Sequence, residues 1–133
     1  MAKKVLIVED HSDLQRLFKI VLQKGGYDVE TVTDGFQAHS FLEEKGEQVD
    51  LLLACWEQSR NMRLTLGEGI IEIARDKNPD VRIILMTTGP NLEHLDYLRS
   101  VGADYVLVKP FRSRDLFNAL EITKATASRQ HGS

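Results

Sequence analysis

Four short, mostly apolar runs and one alternating stretch, each followed by a segment of helical period, constrain the fold of this chain more than any other feature. The runs are Val5-Leu6-Ile7-Val8, Leu51 to Cys55, Arg82 to Met86 and Tyr105 to Val108, and the alternating stretch is Tyr27 to Val32. Apolar runs this short suit strands buried on both faces, as in a parallel sheet covered by helices. Between the runs, apolar residues return at helical spacing. Leu17, Phe18, Val21 and Leu22 lie three, four, seven and eight residues after Leu14. They predict one face of an amphipathic helix, capped by Ser12 or Asp13 and ended by Gly25-Gly26. Asp34-Gly35 opens a second helix with the apolar face Phe36, Ala38, Phe41 and Leu42, ending near Gly46. Ile70, Ile71, Ile73 and Ala74 predict a third that stops before Pro79, and Leu92, Leu95, Leu98 and Val101 a fourth closed by Gly102. Leu116, Phe117 and Leu120 predict a fifth, capped by Ser113. Glu57 to Leu66 has no clear period and reads as a loop.

Strict alternation of strand and helix implies an α/β fold with a parallel sheet, right-handed crossovers and helices on both faces. At 133 residues the chain suits an open, doubly wound sheet of five strands. An eight-stranded barrel needs about 250 residues. One domain is expected over residues 1–125, with 126–133, small and polar, as a flexible tail. A net charge of −3 and the lack of a basic run argue against direct nucleic-acid contact. No apolar stretch approaches the roughly 18 residues of a membrane span. The lone Cys55 excludes an internal disulfide framework. These features suit a cytoplasmic protein.

Ligands of open α/β sheets gather just outside the carboxyl ends of the strands. The first strand ends in Glu9-Asp10, the third in Cys55, the fourth in Thr87 and the fifth in Lys109. Adjacent carboxylates can hold a hard cation such as Mg²⁺. A lysine can meet a phosphoryl oxygen as a point charge, and a threonine hydroxyl can donate to another. These are parts of a phosphoryl-transfer site that lacks an oxygen nucleophile at its centre. Each also has a plainer reading: Glu9 and Asp10 as helix-start acids, Thr87 bonded to its local backbone, Lys109 as a turn lysine, Cys55 as a small buried side chain. Trp56 reads as packing or shielding the mouth, and His11, His39, His94 and His131 as surface residues without ligand spacing.

Val5 to Asp10, Ile83 to Thr87 and Gly102 to Phe111 stand in the order and spacing that resemble the receiver domain of two-component response regulators, of the chemotaxis-regulator type. The resemblance covers roughly Lys3 to Lys124. It implies a flavodoxin-like sheet with strand order 2-1-3-4-5 and a usually cis Lys109–Pro110 peptide. It implies a signalling module in place of an enzyme, a histidine kinase or downstream protein as partner, and a partner or homodimer face on the fourth helix, fifth strand and fifth helix. Phosphorylation on an aspartate, with Mg²⁺ on the acidic pair, belongs to the same picture. Counting five residues from Asp50 puts Cys55 where that aspartate stands. Val106 takes the place of the usual aromatic switch residue, with Tyr105 one place early and Pro110 just beyond the lysine, and the loop after the third strand is longer than usual.

The departures leave several readings open. The first is an atypical receiver that lacks aspartyl phosphorylation, binds Mg²⁺ weakly and signals by contact. Others are a receiver that accepts phosphate on Cys55 or Glu57, and a variant of a receiver whose natural residue is aspartate. A flavodoxin-like cofactor binder or thiol enzyme is the last, although Glu9-Asp10-His11 stands where a phosphate-binding loop is needed. No effector domain follows residue 133, which suits a stand-alone receiver or a piece of a longer chain.

Overall fold

The structure, a computed structural model, describes residues 3–56, 67–89 and 92–132, with side chains described in 3–56, 69–89 and 92–124. Five strands alternate with five α-helices. They are β1 (Lys4–Val8), α1 (Ser12–Lys24), β2 (Asp28–Val32), α2 (Gly35–Lys45), β3 (Leu51–Cys55), α3 (Gly67–Lys77), β4 (Arg82–Thr88), α4 (Leu92–Ser100), β5 (Tyr105–Lys109) and α5 (Ser113–Gly132). A 3₁₀ turn, Gly46–Gln48, joins α2 to the approach of β3. All strand pairs are parallel, in the order β2-β1-β3-β4-β5. The expected sheet and strand order are therefore those observed.

The central strands are apolar on both faces because both faces are covered. Val5, Leu6 and Ile7 of β1, Leu51 to Leu53 of β3 and Ile83 to Met86 of β4 are buried. Burying each large side chain stabilises the fold by about 1.5–3 kcal/mol. The period of two divides them between two cores. Leu6, Val8, Leu52, Ala54, Ile83 and Leu85 face one core, with α2, α3 and α4. Val5, Ile7, Leu51, Leu53, Ile84, Met86 and Leu107 face the other, with α1 and α5. This division by parity also sorts the side chains at the ends of the strands.

Several local expectations are corrected. His11, not Ser12 or Asp13, caps α1: its Nδ1 accepts from the Leu14 N–H at 3.5 Å. Leu17 is 51% exposed, because Phe18 and Leu22, one turn apart, carry the contact. Phe36 in the first turn of α2 is 67% exposed, although Ala38 and Leu42 are buried as expected. On α4 the outer position Leu92 is exposed, and the buried pair is His94 and Leu98. Arg112, not Ser113, takes the capping position at α5: its N–H donates to the Asp115 carboxylate at 2.9 Å, and Ser113 is the first helical residue. The bounds of α5 extend to Gly132. The loop expected over Glu57 to Leu66 lies outside the described residues.

Gly102 closes α4 with φ +124°, a backbone region that side chains rarely adopt. A Cβ there would lie 2.9 Å from Ile71 Cγ2 of α3. Arg75 holds the same turn, donating to the Gly102 carbonyl at 2.8 Å and to Asp104 at 3.3 Å. Gly102→Ala is expected to destabilise the fold by roughly 1–3 kcal/mol through strain and this contact. Denaturant unfolding measures it, and a variant as stable as the wild type contradicts the expectation.

Candidate functional site

Parity explains what meets at the carboxyl end of the sheet. Cys55 follows Leu51 and Leu53 by steps of two, Lys109 follows Tyr105 and Leu107, and Glu9 follows Val5 and Ile7. All three continue the rows that face α1 and α5. They meet there: Lys109 Nζ lies 2.7 Å from Glu9 Oε1 and 3.2 Å from Cys55 Sγ. Glu9 is 1% exposed and the Lys109 side chain 11%, so the pair is largely out of water. The second carboxylate oxygen of Glu9, Oε2, accepts the His11 N–H at 3.1 Å. Gln15 of α1 donates to the carbonyls of Glu9 and Val32, fastening the turn after β1 to the end of β2. Beyond Lys109, a cis peptide leads to Pro110, and Phe111 stacks on Phe18 of α1 with ring centroids 5.4 Å apart. That stack ties the segment after the lysine to the same face.

Burial by itself would lower the pKa of Lys109. The hydrogen bond to Glu9, the charges of Cys55 and Glu9 and the contact with the sulfur outweigh it, and the net shift is upward from the ordinary 10.5. The lysine is therefore a permanent cation at neutral pH.

Thr87 stands apart from this group. It follows Ile83 and Leu85, the row facing α3 and α4, and is fully buried. Its Oγ1 lies 3.0 Å from Nε2 of His94, on α4. Val106 packs on that same side, whereas Tyr105 packs on the α1 and α5 side, across the sheet from Thr87. Asp10 is exposed, and among the described residues no hydrogen bond joins it to Glu9, Cys55 or Lys109. Pro110 is exposed beside the lysine, and Glu57 lies outside the described residues.

His94 contradicts the reading of the histidines as surface residues: it is 7% exposed, while His11 and His39 are exposed and the His131 side chain is not among those described. A signal for it was present, since His94 lies four residues before Leu98 and seven before Val101, on their helical face. Trp56 also has a partner on α4: its ring meets Tyr97 edge-on, with centroids 5.9 Å apart.

The donor set is a weak one for Mg²⁺, which prefers oxygen ligands and near-octahedral geometry. One Glu9 oxygen is held by Lys109 and the other by a backbone N–H, Asp10 is exposed, and the side chain beside Lys109 at the end of β3 is a soft sulfur. Among the described residues no group of three or more His, Cys, Asp or Glu side chains could hold a metal ion.

The family model of the response regulator receiver domain matches residues 5–121. The chain belongs to this family. The receiver is 32% identical over 127 residues to a chemotaxis protein CheY homolog of Campylobacter jejuni, covering 94% of this chain and 95% of that one. It is 27% identical over 126 residues to the phosphate regulon transcriptional regulatory protein PhoB of Pseudomonas aeruginosa, covering 91% of this chain and 51% of the relative. The chain thus spans about half the length of that relative. The solved chemotaxis response regulator CheY4 of Vibrio cholerae is 27% identical, with a TM-score of 0.78 over 92% of this chain and 99% of the other. The chain is thus a receiver of two-component signalling. Among its described residues no helix is long and apolar enough to cross a membrane.

Removing Glu9 would leave a mostly buried ammonium without its carboxylate. Glu9→Gln is expected to cost about 3 kcal/mol at neutral pH. Because the folded pKa of Lys109 is raised, the stability it contributes is present in full below the unfolded value of 10.5 and is lost as pH rises through the folded value. The gap between wild type and variant should therefore hold from neutral pH to about 10.5 and shrink above it, in denaturant titrations at a series of pH values. A variant as stable as the wild type at neutral pH would show that the pair contributes nothing.

Proposed function

We propose that this receiver signals by protein–protein contact and does not use aspartyl phosphorylation, with Cys55 at the phospho-acceptor position. The observation that carries this reading is the contact of Lys109 with Glu9 and Cys55. A phosphoryl acceptor in this family needs a carboxylate oxygen and a divalent cation beside it. Here a thiol stands at the centre, and the acidic side chain that would face the cation is neutralised by the lysine. Mg²⁺ affinity is weakened accordingly, and the module acts without catalysis of its own.

The partner is a histidine kinase or a downstream signalling protein, met in the cytoplasm through the face of α4, β5 and α5. Tyr97 of α4, Val108 of the edge strand β5 and Ile122 of α5 support that face, each being more than 40% exposed. Homodimerisation through the same face fits the exposed edge of β5.

A second reading is favoured by one contact. The ammonium 3.2 Å from Sγ is what a thiolate acceptor would need, so Cys55 could take the phosphoryl group itself. Intact mass after incubation with acetyl phosphate, with and without Mg²⁺, separates the two. The contact reading predicts no phosphoryl adduct in either sample. An adduct mapped to Cys55 would establish the thiol acceptor, and one on a carboxylate would overturn both. Cys55→Asp is expected to create Mg²⁺-dependent phosphorylation, since it places an oxygen nucleophile and a third carboxylate beside Glu9 and Asp10, and the added carboxylate competes with Glu9 for Lys109.

A further inference from the structure

The hydrogen bond between His94 and Thr87 lies outside the Lys109 group, and the proposed function gives it no part. Thr87 is 0% and His94 7% exposed. Their neighbours on that side of the sheet, Leu85, Leu98 and Val106, are apolar. Separating two polar groups in such surroundings is costly, because water cannot replace the lost bond. Among the described residues His94 is the side chain that reaches Thr87 Oγ1, and it comes from α4, not from a strand. Three residues on, Tyr97 lies one turn further along the helix and packs against Trp56, the residue directly after Cys55. One helix thus grips the ends of two strands, by a buried polar bond at β4 and an aromatic contact at β3. The outer surface of α4 carries exposed Leu92 and part-exposed Tyr97.

We infer that His94 is a positioning residue that locks α4 onto the carboxyl end of β4 through the Thr87 hydroxyl, holding the α4 surface in one setting with no phosphoryl group present. The inference rests on the contact-signalling reading and gives it a physical form. The helix face is preset, and its position depends on two residues that border the Cys55 site. The coupling passes through Thr87 and Trp56, which belong to strand ends on either side of the same crevice.

Hydrogen exchange of the full chain tests this, read segment by segment in the wild type, Thr87→Val, His94→Leu, the double variant and Thr87→Ser. Each of the first two variants should speed exchange of the α4 amides by about tenfold while the amides of β1 and β3 keep their protection. The double variant should be no faster than either single one, because both remove the same bond. Thr87→Ser, which keeps the hydroxyl, should protect α4 as the wild type does. Trp56 is the only tryptophan, so its emission should shift in the same variants as Tyr97 withdraws. Unchanged α4 exchange, additive effects, or a loss spread evenly over the sheet would each overturn the lock. Thr87→Val removes only the hydroxyl at nearly constant volume, so it decides the matter should His94→Leu fail to fold. A phosphoryl adduct on the wild type would defeat the contact-signalling reading, whereas the lock stands or falls on the exchange of α4 in the variants.

Discussion

One ammonium group organises the mouth of this sheet. Lys109 Nζ sits between the carboxylate of Glu9 and the sulfur of Cys55, at 2.7 and 3.2 Å. A lysine taken so far out of water must be neutralised, and Glu9 is buried with it for that reason. This one demand settles much of the local structure. It turns the end of β1 toward the end of β5, across the sulfur at the end of β3 that lies between them. It also commits Glu9, so the acidic pair after β1 cannot offer two free carboxylates to a cation.

The period of two along the strands does the remaining sorting. Glu9, Cys55 and Lys109 continue rows that face α1 and α5, and Thr87 continues a row that faces α3 and α4. The hydroxyl therefore finds its partner on α4 in His94. The crevice is thereby divided into a charged half, anchored by the stack of Phe111 on Phe18, and a half whose polar bond points into a helix. α4 therefore touches the carboxyl end of the sheet twice, through His94 on Thr87 of β4 and through Tyr97 on Trp56, the residue after Cys55.

The fold is legible because the runs of β1, β3 and β4 are apolar on both faces, which leaves a parallel sheet between helices as the way to bury them. Strand order 2-1-3-4-5 was reached through the resemblance of three strand-end motifs, and the pairing agrees with it. Glu9, Cys55 and Lys109 were legible as residues at strand ends, but not their grouping without Thr87. That division needs the register of β4 against β3 and β5, which a single sequence does not carry. Leu17 and Phe36 were misplaced because helical spacing marks a face without giving the width that the neighbours cover. His94 was missed for the opposite reason. A polar residue at a core position of a helix looks like an interruption of the apolar face until its partner is seen.

The central claim is that Lys109 holds the carboxylate that a cation would need, with a sulfur in place of the third acidic group. Titration of Mg²⁺ into the wild-type chain by calorimetry tests it most directly. The account predicts no saturable binding from the micromolar to the low millimolar range. A saturable, stoichiometric isotherm in that range would contradict it.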